Sequence, residues 1–218
     1  MVNLNPHKVV NTIGSTDIEI AKTIEHLLAV LFTNKIDRLT IEVDGSEIPI
    51  LDGSIEELNK IIQEQVIELD QEAKEFVVPF YTEIEGYSIF PSDSLEIYSY
   101  LEDPKTHAKT FLYWQESSEL IPAKTYGYIQ DYPILKELNL AKGSNIYNTT
   151  ILSLNNQSSK PTYLANYHKI IDFLGDIYTT CIPYIKGIFY LHNPNHTKNN
   201  KIAITVYNLF TRGVIKDD

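Results

Sequence analysis

An α+β fold is what this sequence predicts, and three observations carry the expectation. Stretches with apolar residues at helical spacing stand beside stretches of alternating polarity. The two kinds follow one another without the strict strand–helix alternation that parallel sheets require. A charged, polar run at 68–75 separates a shorter first half from a longer second one. Each half is expected to be a sheet with helices packed on it, with residues 1–70 and 76–218 as separate domains.

The elements follow in order. A helix is expected over about 17–33, because Ile20, Ile24, Leu27, Leu28 and Leu31 recur at its period and Thr16 or Asp17 stands where a cap is needed. Residues 38–43 alternate and read as a strand, turned by Asp44-Gly45. Pro49 keeps 47–51 from being a regular central strand, since it lacks a backbone donor. Asp52 before Gly53 reads as a buried turn held by carboxylate-to-backbone bonds, and Ser54 as the start of a second helix carrying Leu58, Ile61, Ile62 and Val66. Strands are expected over 76–81, 95–100 and 110–114. A polar interruption at 155–160 precedes a long helix over about 163–179, and 187–191 and 201–210 read as strands around a His-Asn-Pro-Asn-His loop.

Composition bounds the function. With 43% hydrophobic residues among 218, the chain can bury a core. A net charge of −11 argues against nucleic acid and anionic membranes, which need a basic surface, but allows a small anionic substrate held by local lysines. The single Cys181 excludes an internal disulfide and a cysteine-based zinc cluster. No apolar run is long enough to span a bilayer and no secretory signal opens the chain, so a cytoplasmic monomer is expected. The glycosylation patterns at Asn148 and Asn195 then read as accidental.

Two short stretches carry the chemistry. Glu25-His26 sets a carboxylate beside an imidazole on the first helix, and His168 and Asp172 lie four apart on one face of the long helix. Two histidines and a carboxylate are a ligand set that zinc hydrolases use, with a fourth position open for water and Glu25 as the spare base. Spacing alone does not settle the matter. The helical wheel puts His26 opposite the apolar residues Ile24, Leu28 and Leu31, which fits a solvent-facing pair as well as a site. His168, Asp172 and Asp176 form one stripe that fits a solvated face equally. His192 reads as a surface loop residue, and the Thr125 hydroxyl either faces an oxyanion or bridges backbone in a turn.

Together these pieces resemble the UDP-3-O-acyl-N-acetylglucosamine deacetylases, zinc amidases of the lipid A pathway. Thr23-Ile24-Glu25-His26-Leu27-Leu28 resembles T-V-E-H-L-L, and residues 47–54 match E-I-P-I-L-D-G-S. Residues 122–128 resemble A-R-T-F-G-F, residues 168–176 resemble H-K-I-L-D-A-I-G-D, and residues 195–199 resemble G-H-S-L-N. The resemblance implies two topologically similar, sandwich-like α+β domains with the active site between them, the first domain shortened. It implies zinc held by His26, His168 and Asp172, Glu25 as general base, and His196, positioned by Asp176, as general acid or electrostatic stabiliser. Thr125 would donate to the carbonyl oxygen, and Lys169, Lys124 and Tyr126 would contact the anionic or acyl parts of a sugar nucleotide.

The departures bear on substrate. The family's leading G-x-G-L-H-S-G segment has no match here, the charged lead-in before its H-K reads Tyr163-Leu164-Ala165-Asn166-Tyr167, and Asn195 and Lys124 replace Gly and Arg. Relaxed selectivity is therefore expected. The alternatives are a zinc amidase with another N-acyl substrate and a silent zinc-binding relative; retention of Glu25 and His196 argues against the latter, since a structural site needs neither.

Overall fold

The computed structural model describes residues 3–68, 72–138, 140–154 and 159–213. The polar runs expected at 68–75 and 155–160 lie partly outside those residues, so the boundary near residue 70 is not among them. One buried apolar cluster draws on both halves of the chain, from Leu27, Leu28 and Phe32 to Ile171, Leu174 and Phe189.

The chain starts with a short pair of antiparallel strands, β1 (Val9–Asn11) and β2 (Asp17–Ile18). The first helix, α1, runs only from Glu25 to Thr33, not from 17 as its periodicity predicts. Thr23 takes a left-handed φ of 57°, which no helix admits, and Asp17 uses its carboxylate to accept the Thr23 N–H at 3.0 Å. Ile18 and Ala21 bond each other across the turn between. Residues 38–43 are not a strand: no described strand lies beside them, and Leu39 and Ile41 are exposed. Alternation makes a strand only where a partner takes its backbone and a neighbour covers one face.

The 52–55 turn forms as expected. Asp52 accepts from Ser54 N and Ser54 Oγ, and Ser54 Oγ accepts from Glu56 N at the start of α2 (Glu56–Gln63). Gly53 has φ 79°, and a Cβ there would stand 1.7 Å from the Asn148 carbonyl oxygen, so the position requires glycine.

The second half builds a six-stranded mixed sheet. Its strands are β3 (Glu75–Val77), β4 (Thr82–Ile84), β5 (Tyr87–Phe90), β6 (Leu95–Glu102), β7 (Lys109–Gln115) and, after a two-stranded ribbon of β8 (Tyr126–Tyr128) and β9 (Thr150–Leu152), the central β10 (Tyr184–His192). The order is β4-β5-β10-β6-β7, with β3 also paired to β10. Strict alternation on β6 sends Leu95, Ile97, Ser99 and Leu101 inward. A short helix, α3 (Tyr132–Glu137), lies between β8 and β9.

The long helix α4 (Ser159–Tyr178) lies on the inner face. Inward-facing Ser99 donates to Asn166 Oδ1 at 2.6 Å, and Asn166 Nδ2 returns a bond to the Ser99 carbonyl, which fixes where α4 sits. The last element, α5 (His196–Arg212), is a helix where alternation predicts a strand at 201–210. Asn195 caps it by accepting the Lys198 N–H at 3.0 Å, and Asn199, Ile202, Ala203 and Val206 are buried at helical spacing. Packing against α4 overrides the strand preference of its β-branched residues. Among the described residues no helix is long and apolar enough to cross a membrane.

Candidate active site

α1 and α4 form the site because their backbones nearly touch. A Cβ on Gly175 would stand 1.9 Å from the Glu25 carbonyl oxygen, so only glycine lets α4 meet the first turn of α1. That crossing covers the faces that spacing leaves open. His26 is 8% exposed and Glu25 4%, although the wheel puts them opposite the apolar side; α1 is buried from Glu25 to Phe32. The His168–Asp172–Asp176 stripe is equally buried.

His26 Nε2 lies 3.6 Å and His168 Nε2 3.3 Å from Asp172 Oδ1, and one donor atom from each of the three residues falls within 4.8 Å of the others. The imidazole rings meet edge-on, centroids 4.8 Å apart. Two donors each about 2.0–2.1 Å from one tetrahedral ion stand roughly 3.3–3.4 Å apart. Asp172 Oδ1 is buried and has no hydrogen-bond partner among the described residues, an arrangement that a cation at this point would satisfy. The residues present therefore fit zinc.

The surroundings set the charge states of His168 and Asp172. Burial holds His168 down to about 3, so its ring is neutral, the form that could ligate a metal. Its Nδ1 faces the Ala123 carbonyl at 3.4 Å, which assigns the proton there and leaves the Nε2 lone pair facing the site. Burial disfavours the Asp172 carboxylate, but His168, Lys169 and His196 together hold it well below the usual range. Lys169 donates to Asp172 Oδ2 at 2.7 Å, occupying one oxygen and leaving the other to the site.

Two more groups complete the arrangement. Burial raises Glu25 to about 7, against the opposing pull of His196 and His26. Its Oε2 accepts the Thr16 N–H at 2.9 Å. For His196 burial favours the neutral ring, but the carboxylates of Asp176 and Asp172 overcome it and raise the imidazole to about 9. His196 Nδ1 stands 2.9 Å from Asp176 Oδ2, which also accepts from Asn199 Nδ2 at 2.8 Å, and His196 Nε2 is 3.8 Å from Asp172 Oδ2.

The remaining expected contacts divide. Tyr126 stands edge-on to His168 at 5.9 Å and under Lys169 Nζ at 5.4 Å, at the rim of the ligand cluster. Lys124 instead donates to the Tyr147 carbonyl. The Thr125 backbone joins Gly53 to Thr150, and its hydroxyl makes no hydrogen bond to a described residue. His192 is exposed and stacks on Tyr100. Sequence reasoning offers Thr16 only as a helix cap and passes over Asn199 and Tyr87. All three belong to the polar network around Asp176: Thr16 Oγ1 donates to Asp176 Oδ1 at 2.5 Å, and the Tyr87 hydroxyl to Asn199 Oδ1 at 2.9 Å. The helical step from His196 to Asn199 was a usable signal; nothing in the spacing singles out Thr16 or Tyr87.

The family model for UDP-3-O-acyl N-acetylglycosamine deacetylase matches residues 1–208. The chain belongs to this family. Among its relatives, the UDP-3-O-acyl-N-acetylglucosamine deacetylase of Aquifex aeolicus is 35% identical over 211 residues, which cover 89% of this chain and 74% of that protein. The deacetylase of Nitratidesulfovibrio vulgaris is 27% identical, with 87% of this chain and 65% of that protein covered. That of Hydrogenovibrio crunogenus is 28% identical, covering 83% and 64%. The chain thus spans roughly two thirds to three quarters of these deacetylases.

Proposed function

We propose that this chain is a zinc-dependent amide hydrolase that removes the N-acetyl group from an acylated UDP-N-acetylglucosamine. The observation that carries the reading is the convergence of His26 Nε2 and His168 Nε2 on the orphaned Oδ1 of Asp172, flanked by Glu25 and His196. Family membership and the names of the relatives supply the substrate class.

His26, His168 and Asp172 would hold zinc, which when bound would supply a Lewis acid able to acidify water and polarise a carbonyl. The rest falls to the protein. Glu25 has one oxygen tied to the Thr16 N–H, and its carboxylate, raised to about 7, is suited to take a proton from the attacking water. His196 has its Nδ1 proton engaged by Asp176, so its Nε2 proton is the one available to the departing amine. As an imidazolium below about 9 it also offsets developing negative charge. The Thr125 hydroxyl, without a hydrogen-bond partner among the described residues, is the donor assigned to the carbonyl oxygen. Lys169 holds Asp172 in place and, with Tyr126, lines the approach of the substrate's anionic or acyl portion. Lys124 is the third such contact, released from the Tyr147 carbonyl on binding.

The reading keeps residues 1–70 and 76–218 as two units meeting at the site, since Glu25 and His26 come from the first and His168, Asp172, Asp176 and His196 from the second. It also takes the chain to act as a cytoplasmic monomer, which light scattering of the purified protein checks. The deciding experiment measures acetate release from acylated UDP-N-acetylglucosamine by the zinc-loaded and chelated protein. Turnover that chelation abolishes and zinc restores is expected; zinc-loaded protein that releases no acetate removes the reading.

A further inference from the structure

One residue reaches both proton-transfer groups. Thr16 is fully buried, with no exposed surface. Its backbone N–H donates to Glu25 Oε2 at 2.9 Å, and its carbonyl accepts the Ile24 N–H at 3.0 Å just ahead of α1. Its hydroxyl donates to Asp176 Oδ1 at 2.5 Å and lies 3.2 Å from His196 Nδ1. Asp17 shapes the loop that presents it, accepting from Asn11 Nδ2, Ser15 Oγ and the Thr23 N–H.

The Asp176 carboxylate is then held on both oxygens. Oδ2 takes His196 and Asn199, and Oδ1 takes Thr16. Asn199 is itself fixed by the buried Tyr87 hydroxyl. Without the Thr16 hydroxyl, Oδ1 becomes a buried acceptor with no partner, and the carboxylate is free to turn about its Cβ–Cγ bond and draw His196 off its line. Unpaired buried acceptors are costly, so such a turn toward another donor is favoured.

We propose that Thr16 is a positioning residue: its hydroxyl locks the Asp176 carboxylate that aims His196, while its backbone amide holds Glu25, so the two proton-transfer groups are set by one loop. This rests on the roles assigned to Glu25 and His196 above. Thr16 lies outside the His26–His168–Asp172 cluster, and acts through Asp176.

Two substitutions separate hydroxyl from packing. Thr16→Val keeps the shape and the backbone amide but removes the hydroxyl; Thr16→Ser keeps the hydroxyl. Thr16→Val is expected to lower kcat about 10–100-fold, the usual cost of losing an orienting partner around a metal site, with KM and zinc content unchanged. Thr16→Ser should stay within about threefold of wild type on the same scale. A second readout needs no activity. In the nuclear magnetic resonance spectrum of metal-free wild-type protein, a slowly exchanging Thr16 hydroxyl proton should sit close to the His196 Nδ1 proton, and it should persist in Thr16→Ser. Absence of that proton in wild type overturns the proposal even if Thr16→Val fails to fold. Equal losses in Val and Ser variants overturn it in favour of packing, and so does wild-type kcat in a folded Thr16→Val. If His196→Ala keeps full turnover, the assigned role of His196 falls and the hydroxyl signal alone decides whether Thr16 holds Asp176. If His196→Ala is slow and Thr16→Val is fast, only the Thr16 inference falls.

Discussion

At the scale of single residues, the site works by setting neighbouring groups in opposite charge states. His168 is kept neutral at about 3 while His196, on the far side of Asp172, is raised to about 9. Burial disfavours charge on both rings; at His168 the pull of Asp172 is outweighed by burial together with His26 and Lys169, whereas at His196 the carboxylates of Asp176 and Asp172 overcome it. His168→Ala should therefore lose stoichiometric zinc on metal analysis, whereas Glu25→Ala and His196→Ala should retain it and lose about 10²–10⁴-fold in turnover. The pH–rate profile should be bell-shaped. Glu25 must be ionised, so its acid limb lies at or below about 7, because a cation beside a carboxylate lowers its pKa. His196 must be protonated, so activity falls as pH rises through about 9. Loss of the alkaline limb is expected in His196→Ala, and an alkaline limb unchanged in a residually active His196→Ala would assign that limb to another group.

At the scale of elements, the deciding feature is a helix crossing. Gly175 sits in the same Asp172–Asp176 stretch that supplies the proposed ligand and orienting carboxylate, and its missing side chain admits the start of α1. Gly175→Ala should destabilise the fold by about 1–3 kcal/mol, the usual range for overpacking, and weaken zinc binding although no ligand is changed. Thermal melts and zinc titration of the variant check this; unaltered zinc affinity would mean that the helices can part without disturbing the ligands. α5 carries a smaller lesson. Asn195→Ala should cost about 1 kcal/mol by removing the cap on the helix that begins with His196. The burial period of Asn199, Ile202, Ala203 and Val206 was legible in the sequence, but the alternation at 201–210 competed with it, and only contact with α4 decided between them. Residues 38–43 fail the other way: their alternation is real, and no described strand lies beside it.

At the scale of the whole molecule, an ion in this site ties α1 to α4 and therefore the two halves of the chain. Zinc at 100 times its dissociation constant should stabilise the protein by about 2.7 kcal/mol. Chelation should lower Tm, and Asp172→Ala should abolish that shift, since the variant has no third ligand; scanning calorimetry with and without chelator reads both. What joins the halves is the inner layer, where α1 crosses α4 at Gly175 and the buried Thr16 hydroxyl donates to Asp176.

The sequence by itself pointed to the residues proposed to carry the chemistry. Glu25-His26 and the four-residue step from His168 to Asp172 are adjacent or helically spaced, so local geometry singles them out, while His196 and the choice of a site over a solvated face came from the family resemblance. The sequence also determined the 52–55 turn, because Asp52, Gly53 and Ser54 bond within three residues. Only the tertiary structure decided whether those faces are solvated or covered. A helix presents the same polar stripe to water and to a partner helix, and the burial of His26 depends on a glycine about 150 residues away in the chain, at position 175. Thr16 was hidden for the same reason: its three partners lie 9, 160 and 180 residues along, and no local period records contacts at such separations.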